Sequence, residues 1–83
     1  MWPPWWNWDL EITPHVENRM EDRDFNEVEL REMMERASGH HPDVVDGRFV
    51  IETTHRRQDW EVIVEPDEVE HSLVVITAYR VTR

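Results

Sequence analysis

The hydrophobic period of this chain changes once, and that change limits the folds open to it. Between Thr13 and Ala37 apolar residues recur at helical spacing: Val16 and Met20, then Leu30, Met33, Met34 and Ala37. From Arg48 onward they alternate. Phe49, Ile51 and Thr53 oppose Val50, Glu52 and Thr54, and Trp60, Val62 and Val64 oppose Glu61, Ile63 and Glu65. Helical spacing buries one stripe of a helix, and alternation buries one face of a strand. Helices followed by consecutive strands predict an α+β domain. The last run, Leu73 to Thr82, is apolar on both faces: Val75, Thr77, Tyr79 and Val81 on one, Val74, Ile76, Ala78 and Arg80 on the other. That pattern predicts a central strand.

Local punctuation sets the boundaries. Thr13 can cap free amides and Pro14 has none to satisfy, so a first helix spans 13–23. Asn26 with Glu29 forms an Asn-initiated analogue of a capping box, and Phe25 with Leu30 occupies the positions of a hydrophobic staple. Glu27–Arg31 and Glu32–Arg36 are correctly oriented helical pairs. Gly39 is placed to end the second helix in a left-handed conformation, and residues 40–47 read as a loop. His55 to Asp59 is a polar hairpin link, and Pro66 to Ser72 an acidic turn. Asp9 to Ile12 reads as a short edge strand. Ahead of it, residues 1–8 carry four of the five tryptophans around a Pro pair that forbids helix, predicting an extended aromatic arm. Packing of that arm on its own domain is favoured over docking on another chain or stacking on bases. The expected organisation is an arm over 1–8 and one domain over 9–83, with two helices packed on a curved antiparallel sheet of three to four strands.

Charge narrows the function. The 83 residues hold 19 acidic and 9 basic side chains, all the basic ones arginine, for a net charge of −10. Such a field repels a polyanion unless cations are focused locally, so an extended nucleic-acid track is disfavoured. Without cysteine there is no disulfide, thiolate metal site or thiol nucleophile. No run is long and apolar enough for a membrane span and no secretory pattern opens the chain, so a cytoplasmic location and no membrane partner are expected. His40-His41 beside Asp43 lacks the further spaced ligand a metal needs, and reads as a solvated loop.

One polar set has chemical potential. His15, Arg19 and Arg23 fall on one helical stripe, His55 to Arg57 form the densest basic point, and Thr77 and Tyr79 lie on the last strand. These types suit RNA cleavage without metal: histidine or tyrosine as acid and base, arginine on the phosphorane. Each also has a plain structural role open to it. The stripe can pair with Glu17, Glu21 and Asp22, His55 can be a hairpin residue, and Thr77 and Tyr79 can be ordinary strand residues.

The run His15-x3-Arg19-Met20-x2-Arg23, then the capped helix, Gly47-Arg48, Trp60-Glu61-Val62-Ile63-Val64 and Val74-Val75-Ile76-Thr77-Ala78-Tyr79, resembles a family of short bacterial domains of unknown function grouped with RelE/ParE-like and BrnT-like toxins. The likeness covers roughly 9–83. It implies a RelE-like fold and a toxin-type, metal-independent endoribonuclease of the mRNA-interferase kind, needing no cofactor and controlled by a cognate antitoxin. Carried over by position, His15 matches the leading helix histidine, Arg19 and Arg23 the following arginines, and Thr77 and Tyr79 the final strand. In that reading His15, His55 and Tyr79 are catalytic, while Arg19, Arg23, Arg57 and Thr77 hold phosphate on an RNA substrate. The alternative is a non-catalytic interaction domain that binds a protein partner, or itself as a homodimer, through Trp2, Trp5, Trp6 and Trp8.

Overall fold

The computed structural model describes residues 2–82 of the chain. Met1 and Arg83, the outer bounds of the expected arm and domain, lie outside the described residues. Thr13 accepts the Val16 amide at 3.3 Å and opens α1 (Pro14–Asp22). The helix α2 (Glu27–Glu35) begins with a complete capping box: Asn26 Oδ1 accepts the Glu29 amide at 2.9 Å, and Glu29 Oε1 accepts the Asn26 amide at 3.2 Å. Such a cap stabilises a helix by about 1 kcal/mol. Phe25 and Leu30 are both buried, as the staple requires. Glu27–Arg31 closes at 2.8 Å and Glu32–Arg36 at 3.7 Å, both on the exposed face.

Five strands form one sheet in the order β1-β5-β4-β3-β2: β1 (Asp9–Ile12), β2 (Gly39–Pro42), β3 (Phe49–His55), β4 (Gln58–Asp67) and β5 (Ser72–Arg80). The sheet is mixed, with β1 parallel to β5 and the other pairs antiparallel. This corrects the expected antiparallel sheet of three to four strands. A four-residue edge strand carries no mark of its direction, and β1 reaches β5 only through long-range pairing. The predicted loop at His40-His41-Pro42 is also corrected, because Gly39 to Pro42 pair with Glu52 to Phe49. An edge strand needs ladder bonds on one side only, so it tolerates a proline and a sequence without alternation. Nor is Gly39 left-handed; among the described glycines only Gly47 has a positive φ, at 84°. Its bareness instead permits close approach, since a Cβ there would lie 3.0 Å from Glu52 Oε2.

Both helices cover one sheet face. Val16 and Met20 from α1, and Leu30, Met33 and Met34 from α2, join Ile51, Val62, Val64, Leu73 and Val75 in the core. The Thr53 hydroxyl, buried on the same face, donates to the Met33 carbonyl. A bulge then redirects β5. Val64 pairs with Val75 and Ile63 with Thr77, leaving Ile76 as the extra residue. The expected face of Val75, Thr77 and Tyr79 is therefore divided: one inserted residue inverts the alternation. Val75 and Ala78 face the helices, while Thr77 and Tyr79 stand opposite Ile63 and Glu61 on the outer face.

The arm is not fully extended. Pro4–Asn7 makes a 3-10 turn, with the Trp6 amide donating to Pro3 at 3.0 Å and the Trp8 amide to Trp5 at 3.1 Å. Pro4 stands at the first position, where no amide is required. Trp5 is buried, its ring 4.9 Å from Phe49 and 6.2 Å from His40. Trp2 stacks on Trp6 at 4.4 Å and Trp8 on His71 at 4.8 Å, which gives His71 a packing role the sequence did not suggest. The arm thus closes the end of the sheet where β3 begins and β4 ends. Among the described residues no helix is long and apolar enough to cross a membrane.

Candidate functional site

The opposite end of the sheet is built around a tight hairpin. His55 pairs with Gln58, so the β3–β4 connection is the two residues Arg56-Arg57 alone, with φ of 51° and 66°. Two positive φ values are the pattern of a type I′ turn, which suits the twist of a hairpin and normally selects Asn-Gly. A side chain in that region costs about 1 kcal/mol or more per residue.

Beside this turn lies a cleft of about 530 Å³. His55 and Trp60, both buried, line its interior, and Arg23, Arg56 and Arg80 line it with three of the nine arginines. Gln58, Tyr79 and Thr82 complete the wall. Arg23 Nη1 donates to the Ala78 carbonyl at 2.6 Å, tying the end of α1 to β5. Arg80 Nη1 donates to Gln58 Oε1 at 2.8 Å. Arg56 reaches across to the turn between the helices, 3.4 Å from Asp24 Oδ2 and 3.3 Å from Glu29 Oε2.

His55 is held by aromatic rings. It is 5% exposed, edge-on to Trp60 at 5.6 Å and tilted to Phe25 at 6.1 Å. Its Nε2 lies 3.4 Å from Glu29 Oε2, without the alignment of a hydrogen bond, and has no other partner. A buried polar atom left unpaired costs about 1–3 kcal/mol. Glu29 therefore has two tasks: one oxygen starts α2 and the other faces His55 and Arg56.

The sequence-derived site residues separate in space. Arg23, His55 and Tyr79 line the cleft. His15 and Arg19 are exposed on α1 and do not line it. Arg57 is exposed in the turn, and Thr77 is on the outer sheet face. Among the described residues no ion pair joins His15, Arg19 or Arg23 to Glu17, Glu21 or Asp22. The Tyr79 hydroxyl donates to Glu61 Oε1 at 2.6 Å. That hydrogen bond, then burial and the charges of Glu61 and Asp43, pushes its pKa up to about 12. Tyr79 therefore keeps its proton at neutral pH and has it already committed to a carboxylate. Trp5, Trp6 and Trp8 pack on the domain, and Trp2 is the exposed tryptophan of the arm at 41%. His41 Nδ1 stands 3.4 Å from Glu52 Oε1. Among the described residues no group of three His, Asp or Glu side chains is placed to hold a metal ion.

Sequence reasoning puts Arg56 in the basic link without a role, and misses Glu29, Gln58, Trp60, Arg80 and Thr82 as cleft neighbours. Arg80 enters the cleft only because the bulge lets it pair with Trp60 on the helix side. A shorter reading of the hairpin, as a two-residue turn, would have aligned His55 with Gln58.

Residues 12–80 match the sequence model of a family described as a domain of unknown function (DUF4258). That description names no toxin family. No curated protein and no solved structure matches the chain. The matched stretch omits the tryptophan arm and all of β1 except Ile12, and it holds both helices, the other four strands and every cleft residue but Thr82. The chain belongs to the DUF4258 family.

Proposed function

We propose that this domain is a toxin-type endoribonuclease that cleaves RNA without a metal ion, with His55 at the centre of the reaction. The observation that carries this reading is a nearly buried imidazole whose Nε2 makes no hydrogen bond and faces the Glu29 carboxylate, in a cleft edged by Arg23, Arg56 and Arg80. In such a cleavage the 2′-oxygen attacks phosphorus, the bond to the 5′-oxygen breaks, and a 2′,3′-cyclic phosphate forms. One proton leaves the 2′-hydroxyl and one reaches the departing 5′-oxygen. Imidazole exchanges protons near neutral pH, and guanidiniums hold the charge that grows on the phosphorane. Glu29 Oε2 stands 3.4 Å from Nε2. The cleft admits a few phosphates at most, which fits a chain whose net charge of −10 opposes a longer track. His15, Arg19 and Arg57 lie outside the cleft and would meet flanking backbone or a cognate antitoxin.

The test is a cleavage assay on short RNA together with growth on expression. Wild-type protein should arrest growth and leave cyclic phosphate ends, and His55→Gln should lower the rate by about 100-fold or more while the protein still melts cooperatively. Intact RNA and unimpaired growth with folded wild-type protein would overturn the reading.

A second reading rests on Trp2, which exposes its ring while stacked on Trp6. In it the domain binds a protein partner, or a second copy of itself, through that surface. Because Trp5 belongs to the core, the informative variant is Trp2→Ala, with mass in solution as the readout.

A further inference from the structure

The hairpin beside the cleft uses two arginines where its backbone favours Asn-Gly. Arg56 and Arg57 both have positive φ, and so does Asp24, at 57°, the residue Arg56 reaches across the cleft mouth. Aspartate tolerates this region, so local preference is overridden only at the arginine end of the contact, and such a departure can mark a position whose side chain is needed there. The contact itself is weak. Arg56 is 57% exposed and Asp24 94%, so solvent screens that 3.4 Å pair, while Glu29, at 3.3 Å, is 25% exposed and already shared with His55; an anion entering from the open side can replace Asp24 first. Arg23 and Arg80 each have only Nη1 engaged, which leaves further donors for a ligand. His55 lines the same space, with its Nε2 buried, without a hydrogen bond and 3.4 Å from Glu29 Oε2, one of the carboxylates Arg56 holds.

We propose that Arg56, the first residue of this turn, is an anion clamp: it exchanges Asp24 and Glu29 for a phosphate group seated beside His55, between Arg23 and Arg80. The planar guanidinium fork suits two phosphate oxygens at once, which explains why arginine occupies a position that disfavours a side chain. The ligand chemistry is a phosphate group, either free or within RNA. This inference shares its cleft with the function proposed above and rests on that reading only in placing phosphate there; it requires no cleavage.

Calorimetric titration tests it with two probes, inorganic phosphate and a short single-stranded RNA whose 2′-oxygens are methylated so that it cannot be cut. Three proteins are compared: wild type, Arg57→Gly, and Arg56→Asn combined with Arg57→Gly. Both variants relieve a strained turn and should melt several degrees higher than wild type. Arg57→Gly should bind inorganic phosphate as wild type does, since Arg57 does not line the cleft, and RNA more weakly by no more than one flanking backbone contact, so the double variant is read against Arg57→Gly. The double variant should bind about tenfold more weakly or worse. Weakening toward inorganic phosphate and RNA alike supports a clamp for the phosphate group itself, and weakening toward RNA alone supports one that needs a polynucleotide. Unchanged affinity of the double variant for both probes would overturn the clamp, as would a wild type that binds neither. Because no turnover is read, RNA left uncut by wild-type protein removes the function proposed above and leaves the clamp standing.

Discussion

The two ends of the sheet meet the same problem with opposite solutions. At one end, where β3 begins and β4 ends, the core is sealed by tryptophan: Trp5 is buried against Phe49, Trp8 lies on His71, and Trp2 and Trp6 stack above. At the other, the core ends in an aromatic group of Phe25, Trp60 and His55, and the layer above it is arginine. One end satisfies the hydrophobic demand and leaves only Trp2 of its tryptophans exposed. The other leaves a buried imidazole nitrogen unpaired and gathers three cations in a protein of net charge −10. One end is closed by apolar rings, and at the other a buried polar atom without a hydrogen bond lowers stability.

Substitutions at the two ends should therefore act in opposite directions. The largest effect belongs to the tryptophan seal: Trp5→Ala should lower stability by about 3–5 kcal/mol in denaturant unfolding, because it opens a cavity in a small core. At the cleft, His55→Leu should raise stability by about 1 kcal/mol, since it removes a buried nitrogen that makes no hydrogen bond, while abolishing the proposed RNA cleavage. A loss of stability in that variant as large as that of Trp5→Ala would erase the contrast and make His55 a core residue like any other. The smallest effect lies on the outer face. Tyr79→Phe should lower stability by about 0.5–1.5 kcal/mol at neutral pH by removing the hydrogen bond to Glu61. That bond exists only while the phenol keeps its proton, and the native pKa is raised. Its contribution is thus complete below the ordinary tyrosine pKa of about 10 and lost as pH climbs through about 12. Wild type should lose stability across that window, and Tyr79→Phe should lose less.

The parts of the fold legible in the sequence are those decided within a few residues. Asn26 and Glu29 announce α2 because a capping box closes over one turn, and Ile51, Thr53, Trp60, Val62 and Val64 show their buried face because alternation is a property of each strand. Gly39 to Pro42 were illegible as a strand because an edge strand borrows its order from β3 and needs no pattern of its own. The site was legible in part for the same reason. Arg56 and Arg57 stand out as a basic point, and His55 beside them. Arg19 and Arg23 look equivalent on the α1 stripe, yet only Arg23 reaches the cleft, where the end of α1 meets the Ala78 carbonyl.

By itself, then, the sequence determined two helices with their caps, the alternating faces of the long strands, the concentration of tryptophan in the arm, and an excess of negative charge too large for an extended polyanion track. Only the tertiary structure decided the direction of β1, the strand at Gly39, the bulge at Ile76 that separates Val75 from Tyr79, and the meeting of Arg23, His55, Arg56 and Arg80. Each of these depends on contacts between residues distant in the chain. Local spacing records which face a residue takes within its own element; it does not record which other element comes to stand beside it.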